Sequence, residues 1–379
     1  MDLSHYCKLM LQMEASDLFL TTGAHPSVKV HGVMRPLDQP ILLPDQVKAL
    51  AYQIMREDQI ANFETYPEVN LAISQPKVGR FRVNVFRQRN QVAMVVRHIK
   101  TVIPKVAELG LPPVLLKLIT QPRGLILVVG STGSGKSTTM ASLIGHRNEH
   151  VPGHIVTIED PIEYIHDHRK SIVNQREVGI DTQSVGDALK NTLRQAPDMI
   201  MIGEIRDSET MEHAITFSQT GHLVIASMHA DNAVVAFERI VNFFPENRRA
   251  WLLMDLAYNI RGIVSQRLIQ ANTGQRVLVA EMLLSTPLAA DIIHKGEFTR
   301  LREIMERSTD LGMQTFDDAI YALYKNNTIS LEDALHNSDS PNNLRLRINI
   351  EKAADTTAPK LSIDEGTERH LSNHTNNGK

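Results

Sequence analysis

Gly130-Ser131-Thr132-Gly133-Ser134-Gly135-Lys136-Ser137 is the stretch on which the fold turns. It satisfies G-x-x-x-x-G-K-[ST] at every fixed position. It stands directly after a continuous apolar run, residues 125–129, and directly before a helical pattern that starts at Ser137. A strand, a glycine-rich loop and a helix in that order let backbone N–H groups curl around a polyphosphate, and the helix N-terminus adds partial positive charge. Lys136 is placed to reach the β- and γ-phosphates, and Ser137 to offer its hydroxyl to Mg²⁺, with Thr138 beside it in the first turn. A glycine-rich turn with a chance lysine would not carry a buried strand on one side and a helix on the other. The stretch therefore predicts a P-loop nucleotide site spanning residues 130–138.

Outward from the loop, strands alternate with helices: strand 155–158, helix 185–194, strand Met199–Ile202, helix Ser208–Gln219 and strand 223–226. This rhythm predicts an α/β domain with a parallel sheet. Helical patterns rich in Leu, Ile and Met are expected from there to about residue 335. Ligands of such sheets bind outside the carboxyl ends of the strands, so acids at those ends are candidates. Glu204 follows Met199–Ile202, and Glu159-Asp160-Pro161-Ile162-Glu163 follows the strand at 155–158. Three acids within five residues are costly unless a cation or solvent receives them, and a solvated acidic turn is the plain alternative. His222 and His229 flank the strand at 223–226, His229 at its carboxyl end. Each could also be a helix-end or core histidine.

Before the loop the chain reads differently. Residues 3–13 and 44–63 have helical spacing, and 17–20, 27–33 and 70–73 resemble short strands. Residues 80–86 alternate, with Arg80, Arg82 and Asn84 on one side and Phe81, Val83 and Val85 on the other. Residues 91–99 answer them after the polar turn 88–90, as a half-buried antiparallel hairpin would. Pro104, Gly110, Pro112 and Pro113 then mark a break. The expected organisation is a small α+β domain over 1–100, a linker over 101–113, the nucleotide-binding domain with its C-terminal helices over 114–350, and a disordered polar tail over 351–379.

Composition narrows the function. A net charge of -3 and 5% aromatic residues offer no basic, stacking channel for nucleic acid. A single cysteine, Cys7, excludes an intrachain disulfide and any multi-cysteine zinc module, and fits a reducing compartment. Met1-Asp2-Leu3-Ser4-His5 lacks the basic start and apolar run of a signal peptide. The expectation is a cytoplasmic protein whose membrane association is peripheral only.

The stretch Leu193-Arg194-Gln195-Ala196-Pro197-Asp198-Met199-Ile200-Met201-Ile202-Gly203-Glu204-Ile205-Arg206-Asp207 resembles the signature of the secretion and pilus ATPase superfamily. Residues 158–164 resemble its aspartate box, and Thr220-Gly221-His222 through His229 its histidine box. The motifs stand in family order. Ser16-Asp17-Leu18 is similar to the family's PAS-like N-terminal domain, and Gly312-Met313-Gln314-Thr315-Phe316-Asp317 to its retraction branch, the PilT/PilU type.

The resemblance implies a RecA-like ATPase domain beside a PAS-like domain, with ATP and Mg²⁺ as ligands. Lys136 and Ser137 would bind phosphate and Mg²⁺. Glu204 would hold the metal's water shell, Glu163 would polarise the attacking water, and His229 would sense the γ-phosphate. Arg82 and Arg97, more than Arg80, would complete a neighbour's site in a homohexamer; a solvated hairpin face is the plain alternative for all three. The implied partners are an inner-membrane platform protein of PilC type and a PilT paralogue, at the cytoplasmic face of the inner membrane. Ala196, the segment at 287–296 and the ending Asp339-Ser340-Pro341-Asn342-Asn343-Leu344-Arg345 resemble PilU more than PilT. A type IV secretion ATPase and a nucleic-acid-dependent P-loop motor are the rival functions.

Overall fold

The computed structural model describes residues 2–357 other than 77 and 100. Its first part is built on an antiparallel sheet of six strands: β1 (Asp17–Thr21), β2 (Ser27–Val30), β3 (Val33–Pro36), β4 (Glu68–Gln75), β5 (Gly79–Gln88) and β6 (Gln91–Ile99), in the order β3-β2-β1-β6-β5-β4. Helices α1 (Leu3–Gln12), α2 (Pro44–Tyr52) and α3 (Glu57–Thr65) accompany it. The expected hairpin is present. Phe81, Val83 and Val85 are fully buried, and Arg82 lies opposite Arg97 across the β5–β6 ladder. Two expectations divide. The strand expected at 27–33 is a tight hairpin turning at His31-Gly32, and the helix expected at 44–63 is two helices. Arg56, in extended backbone, starts the second of them.

The second sheet has seven strands: β7 (Gly124–Gly130), β8 (Gly153–Glu159), β9 (Ser171–Glu177), β10 (Met199–Ile202), β11 (Leu223–Met228), β12 (Ile260–Gln270) and β13 (Arg276–Leu284), in the order β13-β12-β7-β11-β10-β8-β9. Helices α4 (Val114–Ile119), α5 (Lys136–His150), α6 (Val185–Thr192), α7 (Ser208–Gln219), α8 (Ala233–Asn242) and α9 (Arg249–Asn259) connect and cover it. Strand β7 is buried along its whole length, which is why its sequence is apolar throughout rather than alternating.

Three parts of the reading need correction. β9 falls where no strand is expected, because its polar edge residues mask the pattern. β12 and β13 replace an expected helical stretch: short apolar runs do not by themselves separate a buried strand from a buried helix. β13 also runs antiparallel to β12, so the sheet is mixed rather than wholly parallel.

The apolar clusters divide along the chain. One gathers residues from Leu3 to Val96, and a larger one residues from Val106 to Met313. Val106 and Leu111, within the expected linker, pack into the larger cluster. Each fully buried Leu, Ile or Phe in these clusters contributes about 1.5–3 kcal/mol relative to exposure.

A third cluster joins Ile269 and Val279 to the terminal helices. These follow α10 (Pro287–Lys295) and α11 (Leu301–Arg307) and comprise α12 (Phe316–Lys325), α13 (Leu331–Asn337) and α14 (Pro341–Thr357). Asp317 fastens them, accepting from Arg302 (2.7 Å), Ser338 Oγ (2.8 Å) and the Asp339 amide (2.8 Å). Asp339 in turn pairs with Arg267 at 2.7 Å, whose guanidinium lies 3.9 Å from the Phe316 ring centre. Helix α14 continues to Thr357, and Glu351 pairs with Lys325 at 2.8 Å. The tail expected to be structureless from 351 is therefore helical to 357; its remainder lies outside the described residues.

Candidate nucleotide site

Four loops leave the carboxyl ends of β7, β8, β10 and β11, which lie side by side, and together they wall a crevice of about 570 Å³. Its lining includes Lys136, Ser137, Thr138, Glu163, Glu204 and His229. That size is in the range that holds small-molecule ligands.

The loop after β7 is tightly folded. A side chain at Gly130 would place Cβ 2.4 Å from Ser134 Oγ and 2.6 Å from the Gln266 carbonyl oxygen, so only glycine fits. Gly135, at φ 93°, starts α5 in a left-handed conformation. Lys136 Nζ donates to the carbonyls of Gly130 and Ser131, both at 2.8 Å, which stretches the side chain back over the loop. Burial holds the Lys136 ammonium below its usual pKa, while Glu204 and Glu163 oppose that shift. Thr132, Gly133 and Gly135 line the crevice with Lys136. Ser134 is buried and turned under the loop towards Gly130.

Glu204 is engaged on both oxygens. His229 Nε2 lies 2.9 Å from Oε1, and Arg206 reaches Oε2 at 2.7 Å and extends to within 3.9 Å of Asp160. Asp207 caps α7 by accepting the Thr210 amide at 2.8 Å, which fixes the chain just beyond Glu204. His229 is held from behind, where Arg239 donates to its carbonyl oxygen at 2.8 Å. His222 stands at the opposite end of β11, with its Nδ1 3.1 Å from the Phe217 carbonyl oxygen, and does not line the crevice.

The acids after β8 divide. Glu163 is exposed on the crevice wall, whereas Glu159 is buried. Burial pushes the Glu159 carboxyl up to about 7, against hydrogen bonds from Thr157 (2.6 Å) and Gln175 (3.0 Å) that favour its ionised form. Glu177 beside it is likewise raised by burial, and the charges of Arg82 and Arg80 oppose the rise.

A carboxyl whose folded-state pKa lies above its unfolded value stabilises the fold below the unfolded pKa and loses that contribution as pH rises. For Glu159 the window is from about 4.5 to about 7. Stability should fall across it by an amount on the order of 3 kcal/mol. Melting curves of Glu159→Gln against pH should be flatter there than wild type. An unchanged slope would remove Glu159 as the source.

Sequence reasoning singled out Arg82 and Arg97, and the structure sets both apart from the crevice. Neither lines it, nor does Arg80. Arg97 Nε donates to the buried Asp17 carboxylate at 2.7 Å. Sequence reasoning missed Arg206 on Glu204, Tyr164 with its hydroxyl 2.9 Å from Thr138 Oγ1, and Leu268 and Arg276 on the crevice wall. The last two come from the strands mistaken for helix. Arg206 could have been found from its place two residues after the strand-end acid.

The donor set suits a nucleotide with Mg²⁺. Among the described residues no group of three or more His, Cys, Asp or Glu side chains is placed to hold a metal. A cation here would rest on Ser137 and Glu204 with oxygens from phosphate and water, which is the usual manner of Mg²⁺. Parallel strands β7, β11, β10 and β8, with a glycine-cradled lysine loop after β7 and an acid after β10, two strands away, define a P-loop nucleotide-binding protein.

The chain belongs to the type II/IV secretion system protein family, matched over residues 2–353, in its pilus-ATPase branch of PilT/PilU type. It is 51% identical to the type IV pilus ATPase PilU of Pseudomonas aeruginosa, over 94% of this chain and 93% of that protein. It is 38% identical to the type IV pilus retraction ATPase PilT of the same organism, over 90% of this chain and all of that one. The solved structure of the pilus retraction motor PilT with bound ADP superimposes with a TM-score of 0.85 at 41% identity, covering 91% of this chain and 99% of that one.

Proposed function

We propose that the chain is a Mg²⁺-dependent ATPase, a motor that powers or assists type IV pilus retraction and twitching motility. The observation that carries this reading is the convergence of Lys136, Glu163, Glu204 and His229 on one crevice, in a chain similar to PilU over nearly its whole length. ATP with Mg²⁺ supplies a polarised γ-phosphoryl group. Lys136 offsets its charge, Ser137 and Glu204 hold the cation, and Glu163 orients and polarises water. His229, in contact with Glu204, links the β11 loop to the metal-holding acid.

The small domain and the ATPase domain meet through the segment at 101–113. Their relative motion turns the loss of a γ-phosphate into work. The working form is a homohexamer in which Arg82 enters the neighbour's crevice, with Arg97 anchored beside it on Asp17. Its partners are a PilC-type platform protein and a PilT paralogue, and the ring acts at the cytoplasmic face of the inner membrane. No helix among the described residues is long and apolar enough to cross a membrane. The features at Ala196, 287–296 and 339–345 favour the PilU type over the PilT type. The overall similarity favours this branch over a secretion ATPase.

The test is Glu163→Gln. A carboxylate that orients water contributes little to ground-state binding. Nucleotide affinity should stay within about 3-fold while turnover falls about 10²-fold or more. Equal loss of binding and turnover would make Glu163 a structural residue instead.

A further inference from the structure

Glu163 lies in a bend, residues 159–166, whose geometry is fixed from outside. Gln175 sits on β9 in register with Thr157 of β8. Its amide nitrogen donates to Glu159 Oε1 at 3.0 Å and to the Tyr164 carbonyl oxygen at 2.8 Å. Its amide oxygen accepts the His166 N–H at 2.9 Å. The orientation of the amide is dictated by its partners, because a carbonyl can only accept and a backbone N–H can only donate. One planar group thus ties down the start of the bend, the residue after Glu163 and the end of the bend.

Two further contacts complete the frame. Glu177 Oε2 is 3.4 Å from the Ile162 amide, the residue before Glu163. The Tyr164 hydroxyl meets Thr138 of the P-loop helix at 2.9 Å. Glu163 is therefore the untethered side chain between anchored neighbours, while Gln175 itself does not line the crevice.

We propose that Gln175 is a positioning residue for Glu163, setting the distance and direction from which that carboxylate meets water above the P-loop. This rests on the reading of Glu163 as the water-orienting group. The physical warrant is that a displacement of about 1 Å in a reacting group can cost about 10² in rate, and three hydrogen bonds from one side chain resist such a displacement. Gln175→Glu is the most informative variant. It keeps the length of the side chain, removes the N–H donors that serve Glu159 and the Tyr164 carbonyl, and changes no residue that lines the crevice.

The experiment is a double-mutant cycle in the full chain, reading turnover together with affinity for a fluorescent ADP analogue. Gln175→Ala and Gln175→Glu should each lower kcat about 10- to 100-fold with affinity within about 3-fold. In a Glu163→Gln background the same changes should lower kcat less than about 3-fold, because their target is already gone. Retained analogue binding shows that the crevice is folded. If Gln175→Ala does not fold, Gln175→Met, which keeps the side-chain length, takes its place. Multiplicative losses in the Glu163→Gln background, or parallel losses of affinity and kcat, would overturn the positioning role. A Glu163→Gln variant of undiminished turnover would instead overturn the reading of Glu163 on which it rests.

Discussion

Lys136→Ala should bring ATP turnover down by about 10²–10³-fold or more, with the protein still folded. In the proposed function the lysine is the cation that the loop itself delivers to the phosphates. Its Nζ is bound only to the Gly130 and Ser131 carbonyls, partners that a phosphate can replace. Partial burial makes the charge worth more there than in water. Alanine removes that charge without disturbing the start of α5, because it is the strongest helix former. Steady-state ATPase assays at saturating Mg²⁺, beside melting curves, check both halves of the expectation. Turnover surviving in a folded Lys136→Ala protein would remove the P-loop from catalysis.

A mixture of Lys136→Ala and Arg82→Ala chains, each inactive alone, should recover activity once their rings exchange subunits. In β5 the alternation that buries Phe81 and Val83 turns Arg82 to the other face, opposite Arg97. Like charges directly across a ladder are unfavourable, and the pairing of Arg97 with Asp17 takes one of them out of the contest. Arg82 does not line the crevice of its own chain, where Glu177 is the carboxylate whose charge it feels, and a guanidinium on that face suits a neighbour's phosphate. An arginine supplied in trans is worth about 10³–10⁵ in rate, which makes the single variant nearly silent and the recovery easy to detect. In mixed rings some sites pair an intact P-loop with an intact Arg82. No recovery in rings shown to mix would place Arg82 outside the neighbour's site.

How much of this was legible beforehand depended on whether a residue's role was local. The P-loop could be read because its glycines, lysine and flanking elements are contiguous. Glu163, Glu204 and His229 could be read because each follows a recognisable strand and stands in family order. The hairpin of β5 and β6 announced itself by alternation. Gln175 could not be read: its three partners lie 9 to 16 residues away, and β9 is a polar edge strand. Leu268 and Arg276 were hidden for a related reason. Their strands are largely buried, and only pairing, β12 with β7 and β13 with β12, makes them strands rather than helices. The place of Arg97 on the hairpin points to a site residue, whereas its tie to Asp17, 80 residues earlier, is a fact of tertiary packing.

Strand β12 has two tenants. Gln266 donates to Thr139 of the P-loop helix at 2.7 Å, and Leu268 lines the crevice. The intervening Arg267 and the next residue, Ile269, face the other way, onto Phe316, Asp339 and the terminal helices. The strand is a party wall one residue thick between the nucleotide's room and that of the C-terminal helices. Close-packed interiors transmit displacement rather than absorb it. A displacement of the wall by the terminal helices is expected to reach the P-loop helix through the Gln266–Thr139 hydrogen bond, and one from the crevice to reach the helices through Arg267.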